Sequence, residues 1–257
     1  MDNLEVHGTS GPPVLLLPGG AEATLGFFPG LIEGLVADPG CHVIVHDRPG
    51  TGTSTLPGAL ADAPAHLNEL ITEVGLGPAV VVGQSLGGAV AVLLAQAHPE
   101  NVAGLVLLDP TPINDPTLCS RIERMTRTLA ALDRVPVVRG LIAAGLRASV
   151  ARSTRNLDLR PECRAVFDRT ANLDIPQLDR TVHGLAELSA TLAPKPLPSV
   201  LITADRKPGA AITQAHTRLA DALGATLRSF PGADHNVQLT HPDETLAATR
   251  ALISELR

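Results

Sequence analysis

The residues most suited to chemistry lie in one short stretch, Gly83-Gln84-Ser85-Leu86-Gly87, with Gly88 extending it. The apolar run Ala79–Val82 precedes it and the helix-compatible Ala89–Leu94 follows. A strand that becomes a helix within so few residues needs a tight turn, and glycines beside the serine remove Cβ atoms where backbones approach closely. Such a turn holds a serine in a strained conformation with Oγ exposed above the sheet edge. The helix start behind it aims free N–H groups and a positive dipole end at the same spot. The plainer reading is an N-cap serine, with Oγ bonded into the first turn. The glycines and the preceding buried run favour a nucleophile.

A serine hydroxyl needs a base beside it to attack a carbonyl, and the base needs a third group to orient it. Of the nine histidines, His235 stands in Ser229-Phe230-Pro231-Gly232-Ala233-Asp234-His235, after the last expected strand and before the final helix. That loop belongs to the sheet edge that carries Ser85. His42 and His46 border a strand, and His66, His98 and His216 fall in helical patterns. His7 is near the amino terminus, His183 lies in a helical segment and His241 precedes Pro242 at a helix start. These eight read as packing or surface residues.

The elements that must position this pair alternate regularly. Val14–Leu17, His42–His46, Ala79–Val82, Leu105–Leu108, Ser199–Thr203 and Ala225–Phe230 read as strands, most of them apolar throughout. Phe27–Ala37, Pro64–Val74, Leu86–His98, Ile212–Leu223 and Asp243–Leu256 read as helices. The pattern predicts an α/β fold with a mainly parallel central sheet and helices on both faces. From Ile113 to Pro194 the rhythm stops and only helical stretches remain. Twelve of the 18 arginines lie there against nine acids. The segment is read as a helical insertion over the C-terminal edge of the sheet, where α/β folds bind ligands. The expected division is a core of residues 1–112 and 195–257 with a helical cap at 113–194. Its arginines read as solvated helix faces.

Composition narrows the function classes. A chain of 257 residues buries a sizeable core, and 44% of it is hydrophobic with four Phe and no Trp or Tyr. A pocket here is lined by aliphatic side chains, which disfavours aromatic stacking on bases. A net charge of −6 leaves no electrostatic footprint for nucleic acid. Cys41, Cys119 and Cys163 are too few and too scattered for a disulfide framework or a metal site, so no cofactor is expected. No signal-peptide pattern and no membrane-length apolar run is visible, which predicts a cytoplasmic protein without a membrane partner. Oligomeric state is left open.

Taken in order, Leu15-Leu16-Leu17-Pro18-Gly19-Gly20, His46-Asp47-Arg48-Pro49-Gly50-Thr51-Gly52, Gly83-Gln84-Ser85-Leu86-Gly87 and Gly232-Ala233-Asp234-His235 resemble the α/β-hydrolase fold superfamily. The resemblance covers nearly the whole chain and is specific for fold rather than substrate. It implies backbone oxyanion donors at Gly20 and Leu86. Pro18 stands where the family usually has His, which spares those donors. The Asp47–Ser54 stretch resembles a structural turn, tied down by Asp47 or Arg48. The third catalytic member is open between two positions. The commoner family position follows the penultimate strand, where Asp205 arrives two residues early and Lys207 takes the expected place. The other follows the strand after the nucleophile helix, where Asp109 precedes Pro110. Asp109 is preferred and Asp205 is the alternative.

These expectations describe a serine hydrolase of the carboxylic ester type. It would cleave an ester, thioester or lactone through an acyl-enzyme on Ser85, with a small, aliphatic acyl substrate. Epoxide hydrolases and haloalkane dehalogenases of this resemblance use Asp at the nucleophile position, so the serine disfavours them. The competing readings are a ligand receptor on the same fold, or C–C bond hydrolysis or acyl transfer by the same residues.

Overall fold

A computed structural model describes residues 3–207 and 209–257. Met1, Asp2 and Pro208 lie outside it. Among the described residues seven strands form one sheet: β1 Leu4–His7, β2 Pro13–Leu17, β3 His42–His46, β4 Ala79–Gln84, β5 Val102–Leu108, β6 Ser199–Thr203 and β7 Thr226–Ser229. Their order is β1-β3-β2-β4-β5-β6-β7, with β1 antiparallel to β3 and every other pair parallel. The chain runs from β2 outward to β3 and returns across β2 to place β4. The crevice between the C-terminal ends of β2 and β4 is therefore a topological switch point, where open α/β sheets bind ligands.

Strand residues alternate between two cores, one on each face. Leu15, Leu17, Val81, Leu105 and Leu107 meet Leu67 and Leu70 of α2 (Ala63–Val74), Ala89 and Val90 of α3 (Leu86–Ala97), and Leu219 of α9 (Ala211–Leu223). Val14, Leu16, Val80, Val82, Val106 and Leu108 meet Leu31 and Leu35 of α1 (Leu31–Ala37), and Leu252 and Ile253 of α11 (Pro242–Glu255). Both faces of the central strands are covered, which is why they read as unbroken apolar runs.

Between β5 and β6 run five helices: α4 Pro116–Asp133, α5 Pro136–Thr154, α6 Pro161–Thr170, α7 Ile175–Val182 and α8 Leu185–Ala190. Each of the first four begins with a proline in its first turn, which suits a position whose N–H has no helical acceptor. Cys119, Val182 and Leu185 join the first core, whereas Cys163, Val166 and Phe167 join the second. The helical segment therefore straddles the sheet edge. Short α10 (Val237–Thr240) links the His235 loop to α11.

Three differences from the expected elements have simple causes. β1 was not expected because Leu4-Glu5-Val6-His7 is a short edge strand, none of whose residues is buried. The helix expected from Phe27 begins at Leu31, since Gly30 ahead of it has φ 75°; Phe27 and Phe28 are buried in the turn before. β7 is shorter than expected and largely exposed at the other edge. The three cysteines are buried and unpaired. Among the described residues no helix is long and apolar enough to cross a membrane.

Buried and half-buried histidines give the fold an acid sensitivity. His46 Nε2 lies 2.8 Å from His66 Nε2, and His216 is wholly buried between Thr203 Oγ1 (2.9 Å) and the Pro110 carbonyl (2.7 Å). Burial pushes all three imidazoles below their usual pKa; for His46 the neighbouring His66 adds to it. An imidazole held neutral in the fold takes up a proton once unfolded. Its stabilisation is therefore complete above the unfolded pKa of about 6.5 and is lost as pH falls below it. Each such histidine steepens the loss by up to ~1.4 kcal/mol per pH unit. Thermal denaturation should show a lower Tm at pH 5.5 than at pH 7.5; a flat profile across that window would contradict these three neutral sites.

Candidate active site

Ser85 follows β4 and precedes α3 with φ 50° and ψ −117°, a positive-φ conformation that residues with a Cβ rarely adopt. The surrounding packing enforces it. A Cβ on Gly83 would come within 2.5 Å of the Gly87 carbonyl oxygen, and one on Gly87 within 2.1 Å of the Leu17 oxygen. Ser85 N–H donates to the Leu108 carbonyl at 3.1 Å, and its own carbonyl accepts from Gly88 and Ala89 N–H and from Thr111 N–H at 2.8 Å. The side chain caps nothing in α3, so the N-cap alternative has no geometric support. Its Oγ lies 3.0 Å from His235 Nε2.

His235 is held from below by Gln84. The buried amide donates from Nε2 to the His235 carbonyl at 2.9 Å, and its Oε1 sits so close to Gly19 that a Cβ there would approach to 2.1 Å. Gln84 thereby ties the loop after β7 to the end of β4 and packs against the loop after β2. The other ring nitrogen, Nδ1, is 2.6 Å from Asp109 Oδ2. This leaves Nε2 facing the serine hydroxyl, the tautomer in which an imidazole can accept its proton.

Asp109 follows β5 with φ 43°, a conformation Asp tolerates better than most residues. Its N–H donates to the Ile202 carbonyl at 2.6 Å, and its Oδ1 accepts from Ala204 N–H at 2.8 Å. Arg206 grips the same carboxylate bidentately, Nη1 to Oδ1 and Nη2 to Oδ2. Burial alone would raise the Asp109 pKa. The Arg206 guanidinium, His235 and the Ala204 N–H outweigh it and hold the group well below the usual carboxylate range. Beside it, neutral His216 donates from Nε2 to the Pro110 carbonyl, so Nδ1 accepts from the Thr203 hydroxyl.

Asp205 is placed elsewhere. Its carboxylate accepts from Gly232 N–H at 2.9 Å and its own N–H donates to the Ala233 carbonyl at 2.8 Å. It anchors the His235 loop from outside and does not meet the imidazole. Arg206, its neighbour, points inward instead, so the loop after β6 delivers a cation to the site. No sequence signal separated Arg206 from Asp205 and Lys207 on either side.

Gly20 lies in the loop after β2 with φ 55°. The preceding carbonyl, Gly19 C=O, accepts from Glu22 N–H at 3.2 Å. In a trans peptide the N–H points opposite to that carbonyl, so the Gly20 N–H is turned away from this bend. The Gly20 carbonyl accepts from Arg48 Nη2 at 3.2 Å. Arg48 is buried, and desolvation lowers its pKa to about 10, which still leaves it charged at neutral pH. Asp47 ties the same turn, accepting from Thr24 N–H (2.7 Å) and from Thr53 N–H and Oγ1. Leu86 occupies the first helical position of α3, where an N–H has no intrahelical acceptor. Gly20, Ser85, Leu86 and His235 line one cavity of about 260 Å³, roofed by residues of α4 and α7.

This sheet order, with a strained serine after β4 faced by histidine and aspartate from later loops, defines a recognisable class of protein. The chain belongs to the alpha/beta hydrolase fold family, whose model matches residues 12–242. It is 61% identical over 44 residues to Lipase LipV from Mycobacterium tuberculosis, which is 17% of each chain. Over 88 residues it is 36% identical to the sn-1-specific diacylglycerol lipase ABHD11 of Mus musculus, 34% of this chain and 29% of that one. The match thus spans less than a third of either relative's length. Among solved structures it resembles a thermophilic esterase from Thermogutta terrifontis, with TM-score 0.77 and 24% identity over 98% of this chain and 93% of that one.

Proposed function

We propose that the protein is a serine hydrolase of carboxylic esters, thioesters or lactones. The observation that carries this reading is the continuous hydrogen-bonded path from Ser85 Oγ through His235 to Asp109 beneath the cavity. Ser85 attacks the carbonyl as His235 Nε2 takes its proton. Asp109 holds the ring in register and stabilises the imidazolium. The Gly20 and Leu86 N–H groups receive the oxyanion, each donor being worth roughly 3 kcal/mol in such sites. Protonation of the leaving group by His235 gives the acyl-enzyme, and water attacks it by the same route. The helical segment between β5 and β6 acts as the cap over this centre, and the substrate is a small aliphatic acyl compound. The lipases and the esterase above support a hydrolase without naming its substrate.

A fluorophosphonate probe tests the reading directly. Stoichiometric labelling of Ser85, together with turnover of a chromogenic ester without added cofactor, is the expected result. An intact protein that never labels at Ser85 would favour the ligand-receptor alternative. Adding alcohols, thiols or β-diketones to the same assay separates hydrolysis from acyl transfer and C–C cleavage.

Arg206 makes a further prediction. Replacing it with Met removes one of the groups that offset the burial of Asp109 and hold it ionised, so its pKa rises. A carboxylate with a raised pKa stays ionised over a narrower range. The acid limb of kcat/KM should move to higher pH in Arg206→Met, with activity above pH 8 much less affected. An unmoved acid limb would show that the ion pair does not tune Asp109.

A further inference from the structure

Exposed apolar side chains gather on the hairpin formed by α4 and α5. Of the ten large ones exposed among the described residues, Met125, Leu132, Val135, Val137 and Leu141 belong to it. Single apolar residues on a surface need no explanation, but half of them on one hairpin form a patch. Val137 and Leu141 stand furthest out, 75% and 68% exposed. Along α5 they begin a stripe at i, i+4, i+7 and i+11 that Ala144 and Ala148 complete, all four exposed. Ile142, Leu146 and Val150 on the other side of the helix are half-buried against the fold. The helix is thus apolar on two faces and covered on one.

The same hairpin is strongly basic. Residues 116–157 hold eight arginines and two acids, so they carry +6 and the rest of the chain −12, which together give the net −6. Both acids are already engaged: Asp133 is buried and takes Arg139, and Glu123 is half-buried and accepts from Ala186 N–H. The arginine ion pairs among the described residues use Arg139, Arg160, Arg169, Arg206, Arg218 and Arg250. Arg121, Arg127, Arg134, Arg152 and Arg155 are exposed and take part in none of them. Arg152 and Arg155 continue the α5 stripe at i+15 and i+18, and Arg134 stands in the turn before it. The apolar stripe is bracketed by cations whose stems lie along apolar surface while their heads stay in water.

We infer that the α4–α5 hairpin docks the protein on a bilayer surface of anionic phospholipid. Val137 and Leu141 enter the acyl boundary and the arginines meet the phosphates, as in a helix that lies in the interface plane. Charge complementarity selects this occupant. A second copy seated on the stripe, in either direction, would bring arginine against arginine. Nucleic acid would satisfy the cations but leave the aliphatic stripe in water, and the hairpin has no aromatic side chain to stack on a base. The negative remainder of the chain is repelled by the same surface, which fixes the hairpin as the docking face. A helix lying on a bilayer needs neither a spanning run nor a leader, the two signals on whose absence the sequence reading excluded a membrane.

The test is co-sedimentation of the full chain with vesicles of phosphatidylglycerol and phosphatidylcholine, against vesicles of phosphatidylcholine alone. Binding should be strong only on the anionic vesicles and should weaken at high salt. Each arginine near the surface is worth about fivefold in partitioning, so Arg152→Gln/Arg155→Gln should lose about 25-fold. Val137→Ser/Leu141→Ser should lose about tenfold or more. All four side chains are exposed, so neither double variant should change Tm. The chain has no Trp, so Val137→Trp supplies a single probe. Its emission should shift to the blue on anionic vesicles, whereas Leu76→Trp, ahead of β4 at the opposite sheet edge, should not. An unshifted Val137→Trp, or vesicle binding that survives both double variants, would overturn the proposal. So would a blue shift without vesicles that grows with protein concentration, which would assign the face to a second copy. Binding to heparin or DNA with none to anionic vesicles would also overturn it, in favour of a polyanionic macromolecule.

Discussion

Ser85→Ala should lower kcat on a chromogenic ester by about 10⁵-fold or more, the loss seen when a nucleophile acting within a unit is removed. The variant removes one atom, Oγ, and with it the bond-forming step and the hydrogen bond to His235. The Cβ remains, so the backbone at φ 50° is as strained as before, and that strain is held by the packing of Gly83 and Gly87. Thermal stability should therefore change little, and fluorophosphonate labelling should vanish. KM should stay within a few-fold of wild type because the cavity walls are untouched. A variant that keeps more than about 1% of turnover would remove Ser85 from the nucleophile's role.

The second large effect separates the two aspartates. Asp109→Asn should cost ~10⁴ in kcat, because an amide at this place can present N–H to His235 Nδ1 and stabilise the wrong tautomer. Asp205→Asn should cost no more than a few-fold, since Asp205 only fastens the loop through Gly232 N–H. Asp109→Asn carries a second penalty. It leaves Arg206, now half of a broken ion pair, with its charge uncompensated and only 22% of its side chain exposed. The double variant Asp109→Asn/Arg206→Met should regain part of the lost Tm and none of the lost turnover. Recovery of turnover in the double variant would mean that Asp109 served the ion pair rather than the imidazole.

Much of the fold was legible in the order of residues. Central strands covered on both faces are recorded as unbroken apolar runs, and the glycines of the Ser85 turn are demanded by contacts a few residues away. Ser85 and His235 could be singled out because each stands where a strand gives way to a helix or loop at the C-terminal edge. Gln84 is a different case. Its bond to the His235 carbonyl links residues 151 positions apart, and nothing local foretells it. β1 escaped because an edge strand owes its place to a neighbour's hydrogen bonds rather than to its own apolar pattern.

By itself the sequence determined the class of fold, and its glycines and apolar runs marked the turn at Ser85 and the loop at His235. Those features depend on local backbone chemistry and on periodic burial. Only the tertiary structure decided which carboxylate faces the imidazole. Asp109 and Asp205 follow adjacent parallel strands, β5 and β6, and both are near enough in principle. The ladder sets Asp109 N–H on the Ile202 carbonyl, and from there its side chain reaches inward to Ala204, Arg206 and His235. Asp205 leaves the sheet one step later and turns outward to Gly232. That choice is made by strand register and by the direction of a single side chain, neither of which leaves a trace in residue order.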